Sequence, residues 1–238
     1  IVSEIYPDKT VNVYNAGKGG TGSDYGAARF AEDVAAYSPD VITVDFAVND
    51  YEATWPQKNL QYMDSIVQQA LALKKKPAVI FLNTPFPTLP DSDKAKDVAK
   101  SVKCKTDLAD YYGINYINVY DYMLSDYENI KTEKGYESFS DYLIKECGYK
   151  AVDGDVHAGY AKYAEAIRAN YNANKDGFLT KPTKKNAYTS NAEVNYTYDY
   201  IHANSSRLTY KGDYKIYTSS DKVVSNDADV RIPDKHYS

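Results

Sequence analysis

A chain of 238 residues in which short apolar runs alternate with helical periodicity predicts an α/β fold, a parallel sheet with helices on both faces in three layers. That alternation is the first observation. The second is the run from Val41 to Val48, apolar and β-branched, which stops at Asn49-Asp50 as a buried parallel strand does on leaving its sheet. The third is a shift of composition near residue 178, after which Lys, Asn, Ser, Thr and Tyr dominate. It divides the chain into a domain over 1–178 and a Tyr-rich C-terminal extension over 179–238, β-rich or irregular, with Arg207 to Tyr217 as its longest alternating stretch.

Taken in order, Thr10 to Asn15 alternates like a strand and breaks into Ala16-Gly17-Lys18-Gly19-Gly20-Thr21-Gly22-Ser23, a loop whose glycines permit positive φ and close backbone approach. Ala28, Ala31, Val34 and Ala35 then repeat at helical spacing within Tyr25 to Tyr37, with Ser38-Pro39-Asp40 as the stop. Beyond the strand from Val41, a helix is expected from Lys58 to Lys75, on which Met63, Ile66, Val67, Ala70 and Leu71 share a face. Pro77 to Leu82 is a second strand ending in Asn83-Thr84-Pro85. Asp91 to Tyr112 reads as a helix weakened at Thr106-Asp107, and Ile114 to Val119 as a third strand. Asp121 to Tyr149 is tyrosine-rich and partly helical without a clear pattern; Asp153 to His157 is a turn, and Gly159 to Tyr171 a helix.

Composition narrows the partners. A net charge of -5, with Lys and Arg scattered, argues against a nucleic-acid surface. No apolar run approaches the roughly 18 residues of a membrane-spanning helix, so no membrane association is expected. Cys104 and Cys147 sit in no CxxC or Cys/His cluster, so no metal site is expected. The 26 tyrosines suit surfaces that stack on sugars, or reflect a habit of the source proteome.

In open parallel sheets, ligands bind outside the carboxyl ends of the strands. The glycine loop, Asn49 and His157 all fall in loops of that kind. A backbone N–H from Gly20 and the side-chain amide of Asn49 are donors suited to a developing oxyanion, with His157 and a neighbouring carboxylate as general base. Each has a plainer reading: Asn49 and Asp50 would also cap a following helix, and His157 would also serve as a surface or capping residue. The glycine loop fits neither GxGxxG nor GK[ST], so it is no standard phosphate cradle.

At these residues the chain resembles the SGNH hydrolase, or GDSL esterase/lipase, family. Asn15 to Gly22 resembles the block with the oxyanion glycine, Phe46-Ala-Val-Asn49-Asp50 the block with the oxyanion asparagine, and Asp153-Gly-Asp-Val-His157 the block with the catalytic histidine. The resemblance covers about 1–178 and is closest to secreted carbohydrate esterases that deacetylate plant polysaccharides. It implies a flavodoxin-like sheet, Ser-His-Asp acyl transfer without cofactor or metal, an acetylated carbohydrate or other small ester as substrate, and a secreted or extracellular location.

The chain departs from the family in two places. No Gly-Asp-Ser turn precedes the glycine loop, and Ser3 lies in no comparable turn, so the nucleophile is expected outside this chain. The domain would then lack its first strand, and an N-terminal fragment or partner strand would complete the sheet. In the histidine block, Gly154 stands where the family has Asp three residues before His; Asp155 is the preferred orienting carboxylate and Asp153 the other candidate. The missing serine also admits a second function, a non-catalytic carbohydrate-binding module on an esterase scaffold.

Overall fold

The computed structural model describes residues 1–50, 56–84, 93–149, 159–183 and 186–188. The chain divides into units Ile1–Thr197 and Tyr198–Ser238; the second, with Arg207 to Tyr217, lies outside the described residues.

Three strands form the sheet in the order β1 (Val41–Val44), β2 (Ala78–Asn83), β3 (Asn115–Asn118), all parallel. Val41 pairs with Ala78, Ile80 with Asn115 and Asn83 with Asn118, so Asn83 and Asn118 end neighbouring strands side by side. The central strand is buried on both faces, as its unbroken run of apolar residues requires. Helices α4 (Pro56–Ala72) and α5 (Asp93–Tyr112) make the crossovers β1–β2 and β2–β3 and pack on each other, with α2 (Ser23–Ala28) against α4. On the opposite face α6 (Val119–Lys134) packs on β2 and α8 (Tyr160–Ala173) on β3, with α7 (Phe139–Lys145) against α6 in the same core. The result is a three-layer α/β/α arrangement, as the alternation predicts.

The tyrosine-rich stretch from Asp121 to Tyr149 is mostly helical, in two helices with a break at Gly135–Ser138. The Asn118 side chain caps α6 by accepting from the Asp121 N–H (3.2 Å), Gly135 ends it at φ +67°, and Ser138 caps α7 through the Asp141 N–H (3.1 Å). Tyr120, Tyr127, Phe139 and Tyr142 interlock across this layer, Phe139 stacking on Tyr142 at 5.7 Å. Here tyrosine builds core: Tyr112 and Tyr142 are 0% exposed. Thr106, which weakened the α5 pattern, bonds back to the Val102 carbonyl (2.9 Å) and the helix runs through.

Several expectations are corrected. Thr10 to Asn15 is not a strand; it has no ladder partner among the described residues and leaves Val13 87% exposed, and an isolated extended segment does not hold a ladder. The strand from Val41 ends at Val44 rather than Val48. Asp45 turns the chain by accepting the Ala47 N–H (3.1 Å), and Phe46 accepts from Asp50 N–H (2.8 Å). The helix expected over Tyr25 to Tyr37 is broken into α2, α3 (Phe30–Asp33) and a 3₁₀ turn, Ala35–Tyr37. The break falls at Arg29, whose buried guanidinium reaches back to the Ala16 carbonyl while pairing with Asp33.

Candidate active site

Where β1 gives way to the Phe46–Asp50 turn, the chain meets the glycine loop. Gly20 sits at φ +71°, in the left-handed region that its lack of Cβ makes accessible, and is exposed. The Asn49 side chain donates from Nδ2 to the Thr21 carbonyl at 2.9 Å. Two of the five predicted site residues, Gly20 and Asn49, are thus brought together on one exposed edge. An asparagine amide carries two N–H groups, so the bond to Thr21, the residue after Gly20, engages one and leaves a second donor.

Packing holds this juxtaposition from behind. A Cβ on Gly26 would lie 2.2 Å from the Phe46 ring, so α2 rests directly on the turn that carries Asn49. Asp50 does the polar part. Its Oδ1 accepts the Ser23 N–H (2.9 Å), its backbone carbonyl accepts from Ser101 Oγ (3.1 Å) and Asn59 Nδ2 (3.0 Å), and the residue is 3% exposed. Thr84, just past β2, donates its hydroxyl to Asp45 at the start of the turn.

His157, Asp155 and Asp153 lie outside the described residues. The ends of their segment are nevertheless held together: Gly159 N–H donates to the Cys147 carbonyl at 2.6 Å. Near the other end of α8, Asn170 bonds Asn115 Nδ2 (3.1 Å) at the base of β3. The N-terminal end of α8 therefore points toward the carboxyl side of the sheet. Among the described residues no cluster of three or more His, Cys, Asp or Glu is placed to hold a metal, and no helix is long and apolar enough to cross a membrane.

Three polar residues near this edge escaped the sequence reading. Asn83 ends the central strand fully buried, and neither amide atom has a hydrogen-bond partner among the described residues. It ends an apolar strand as Asn49 ends its run, so the same pattern would have found it. Asp50 was read only as a cap. Lys105 is 3% exposed on α5; its signal was a cation at the inward spacing of Val98, Val102 and Ala109.

Similarity to known proteins follows the same lines. The model of the GDSL-like lipase/acylhydrolase family matches residues 1–137. Among solved structures, a two-domain esterase active on acetylated mannans, co-crystallized with mannopentaose, superposes with TM-score 0.54 at 20% identity over 79% of this chain; the chain spans only 44% of that protein. An acetyl-xylooligosaccharide esterase from Geobacillus Stearmophilus gives TM-score 0.53 at 16% identity, covering 77% of this chain and 80% of its own. A gut microbial diltiazem-metabolizing enzyme gives 0.50 at 14% identity, covering 71% of this chain and 40% of its own. At such identities the likeness is one of fold. No curated protein matches the sequence significantly.

Proposed function

The chain belongs to the GDSL-like lipase/acylhydrolase family, and we propose that it is a serine ester hydrolase acting on acetyl groups of a polysaccharide or oligosaccharide. The observation that carries this reading is the Asn49–Thr21 bond, which brings a side-chain amide and the Gly20 backbone to one exposed edge. In the mechanism, a serine supplied from outside these 238 residues attacks the acetyl carbonyl and His157 takes its proton. Asp155, or Asp153, orients the imidazole. Negative charge develops on the carbonyl oxygen, and the Gly20 N–H and the second Asn49 N–H stabilise it. Collapse expels the sugar oxygen, protonated by His157; water then attacks the acyl-enzyme and acetate leaves. Action on a polysaccharide would suit a secreted protein.

A second reading, a glycan-binding module without activity, draws on one observation. Tyr14 and Tyr37 stack at 4.3 Å with 61% and 53% of their surface exposed, an arrangement suited to a sugar face.

Hydrolysis of p-nitrophenyl acetate and release of acetate from acetylated xylan or mannan by the whole gene product test the proposal. Asn49→Ala should lower kcat by about 10²–10³, the loss expected from one oxyanion donor, roughly 2.7–4 kcal/mol. An unchanged rate removes Asn49 from the mechanism. Glycan binding without acetate release favours the module.

A further inference from the structure

Behind the Asn49 turn lies a pair of charges that no step of ester hydrolysis uses. Lys105 Nζ stands 3.6 Å from Asp50 Oδ2, and the two side chains are 3% and 2% exposed. Neither atom makes a hydrogen bond among the described residues. The separation is too long for one, yet at such burial the attraction between opposite charges is strong and a lone ammonium is costly to keep. Burial holds the Lys105 ammonium below its usual range, and the Asp50 carboxylate opposes that shift.

Every other polar atom of Asp50 is committed to the site's framework. Its N–H donates to the Phe46 carbonyl (2.8 Å), closing the turn that carries Asn49. Oδ1 receives the Ser23 N–H at the end of the glycine loop, and the carbonyl is held from α4 and α5 by Asn59 and Ser101. The approach is close: a Cβ on Gly22 would fall 3.0 Å from Asp50 Oδ1. Asp50 is thus the joint between the loop bearing Gly20 and the turn bearing Asn49. Oδ2, the oxygen it does not commit, faces Lys105.

We propose that Lys105 is a positioning residue for the oxyanion donors, its buried charge orienting the Asp50 carboxylate so that Oδ1 fixes the glycine loop against the Asn49 turn. Lys105 touches no reacting atom. Its effect passes through Asp50 to the separation between the Gly20 N–H and the Asn49 amide. The proposal rests on the oxyanion reading above for its catalytic consequence and on the observed hydrogen bonds for its structural one.

The test compares wild type with Lys105→Met, Asp50→Asn and the double variant, by two readouts. The first is kcat and KM measured separately on p-nitrophenyl acetate. Lys105→Met should lower kcat roughly tenfold to a hundredfold, the range for a small displacement of catalytic groups, with KM changed by less than about twofold. The second is NMR of the Asn49 side-chain amide and the exchange rate of the Ser23 amide; Lys105→Met should shift the first and speed the second. Asp50→Asn leaves the buried cation with only Asp45 as an opposing charge among the described residues, so the double variant should recover kcat and Ser23 protection relative to that single variant. If Lys105→Met does not fold, Lys105→Gln, which keeps polarity and removes the charge, is judged by the same kcat, Asn49 and Ser23 readouts. A Lys105→Met protein that melts earlier but keeps its kcat, its Asn49 signal and its Ser23 protection overturns the proposal and leaves a merely structural pair. A parent without esterase activity would defeat the functional reading alone, since the amide signals still decide whether Lys105 sets the loop.

Discussion

The two flanks of the sheet are built by different physics. Over β2 and β3, α6, α7 and α8 bury interlocked aromatic rings, and a buried lysine there, Lys162, is engaged by Asp126 (2.9 Å) and Glu165 (2.7 Å). Those carboxylates raise its pKa even though burial works the other way. Beside β1, the glycine loop and the Asn49 turn are joined by hydrogen bonds to backbone, by a contact over a missing Cβ, and by a charge pair just beyond bonding distance. The first flank is organised to be stable. The second holds donors toward solvent, where apolar burial cannot fix them, and so relies on directional contacts that each tolerate little displacement.

The contrast breaks most sharply if the aromatic flank is weakened. Phe139→Ala should destabilise the protein by about 3–5 kcal/mol, as truncation of a buried aromatic does, measured by urea unfolding. The Asn49 amide signal of the folded fraction should stay in place; a shift there would mean the flanks are not separable. On the other side, Gly26→Ala would set a methyl into the Phe46 ring and should cost about 1–3 kcal/mol by overpacking. Unlike Phe139→Ala, it should also lower kcat by displacing the turn. Loss of stability with full kcat would show the turn to be more forgiving than its contacts suggest. The smallest effect is expected at the exposed pair Arg168–Glu4, which joins α8 to the first helix, α1 (Val2–Ile5). The hydrogen bond from Arg168 lowers the Glu4 pKa in the folded state. The pair's contribution is therefore present above the unfolded carboxylate pKa and fades as pH falls through the lower folded value. Glu4→Gln should lower Tm slightly at neutral pH and not at all below the carboxylate range, by calorimetry at the two pH values.

The layers were legible because periodicity is a local property. Val41, Ala78 and Asn115 begin strands near where the apolar runs begin, and α4, α5 and α8 follow their stripes to within a few residues. The extent of β1 was not legible, since the apolar residues at Phe46 and Val48 serve a turn that Asp45 closes, and one-dimensional hydrophobicity does not distinguish the two. Thr10 to Asn15 misled for a related reason: alternation records a capacity to pair, and pairing needs a neighbour. Of the site, Asn49 and Gly20 could be read from position and residue type. Asp50 and Lys105 could not be joined, because their contact spans α5 and the β1 turn, and nothing in the spacing of the two residues announces it.

The Cys147 thiol has a practical consequence. It is 1% exposed, and burial pushes its pKa up to about 11, so in the intact fold it is protonated and shielded from electrophiles. Its own carbonyl receives the Gly159 N–H that draws the ends of the 150–158 segment together. An alkylating reagent at neutral pH will modify Cys147 only during local openings of the core around it. The rate of that modification, read peptide by peptide apart from the half-buried Cys104, is an intrinsic clock for how often the core around Cys147 opens.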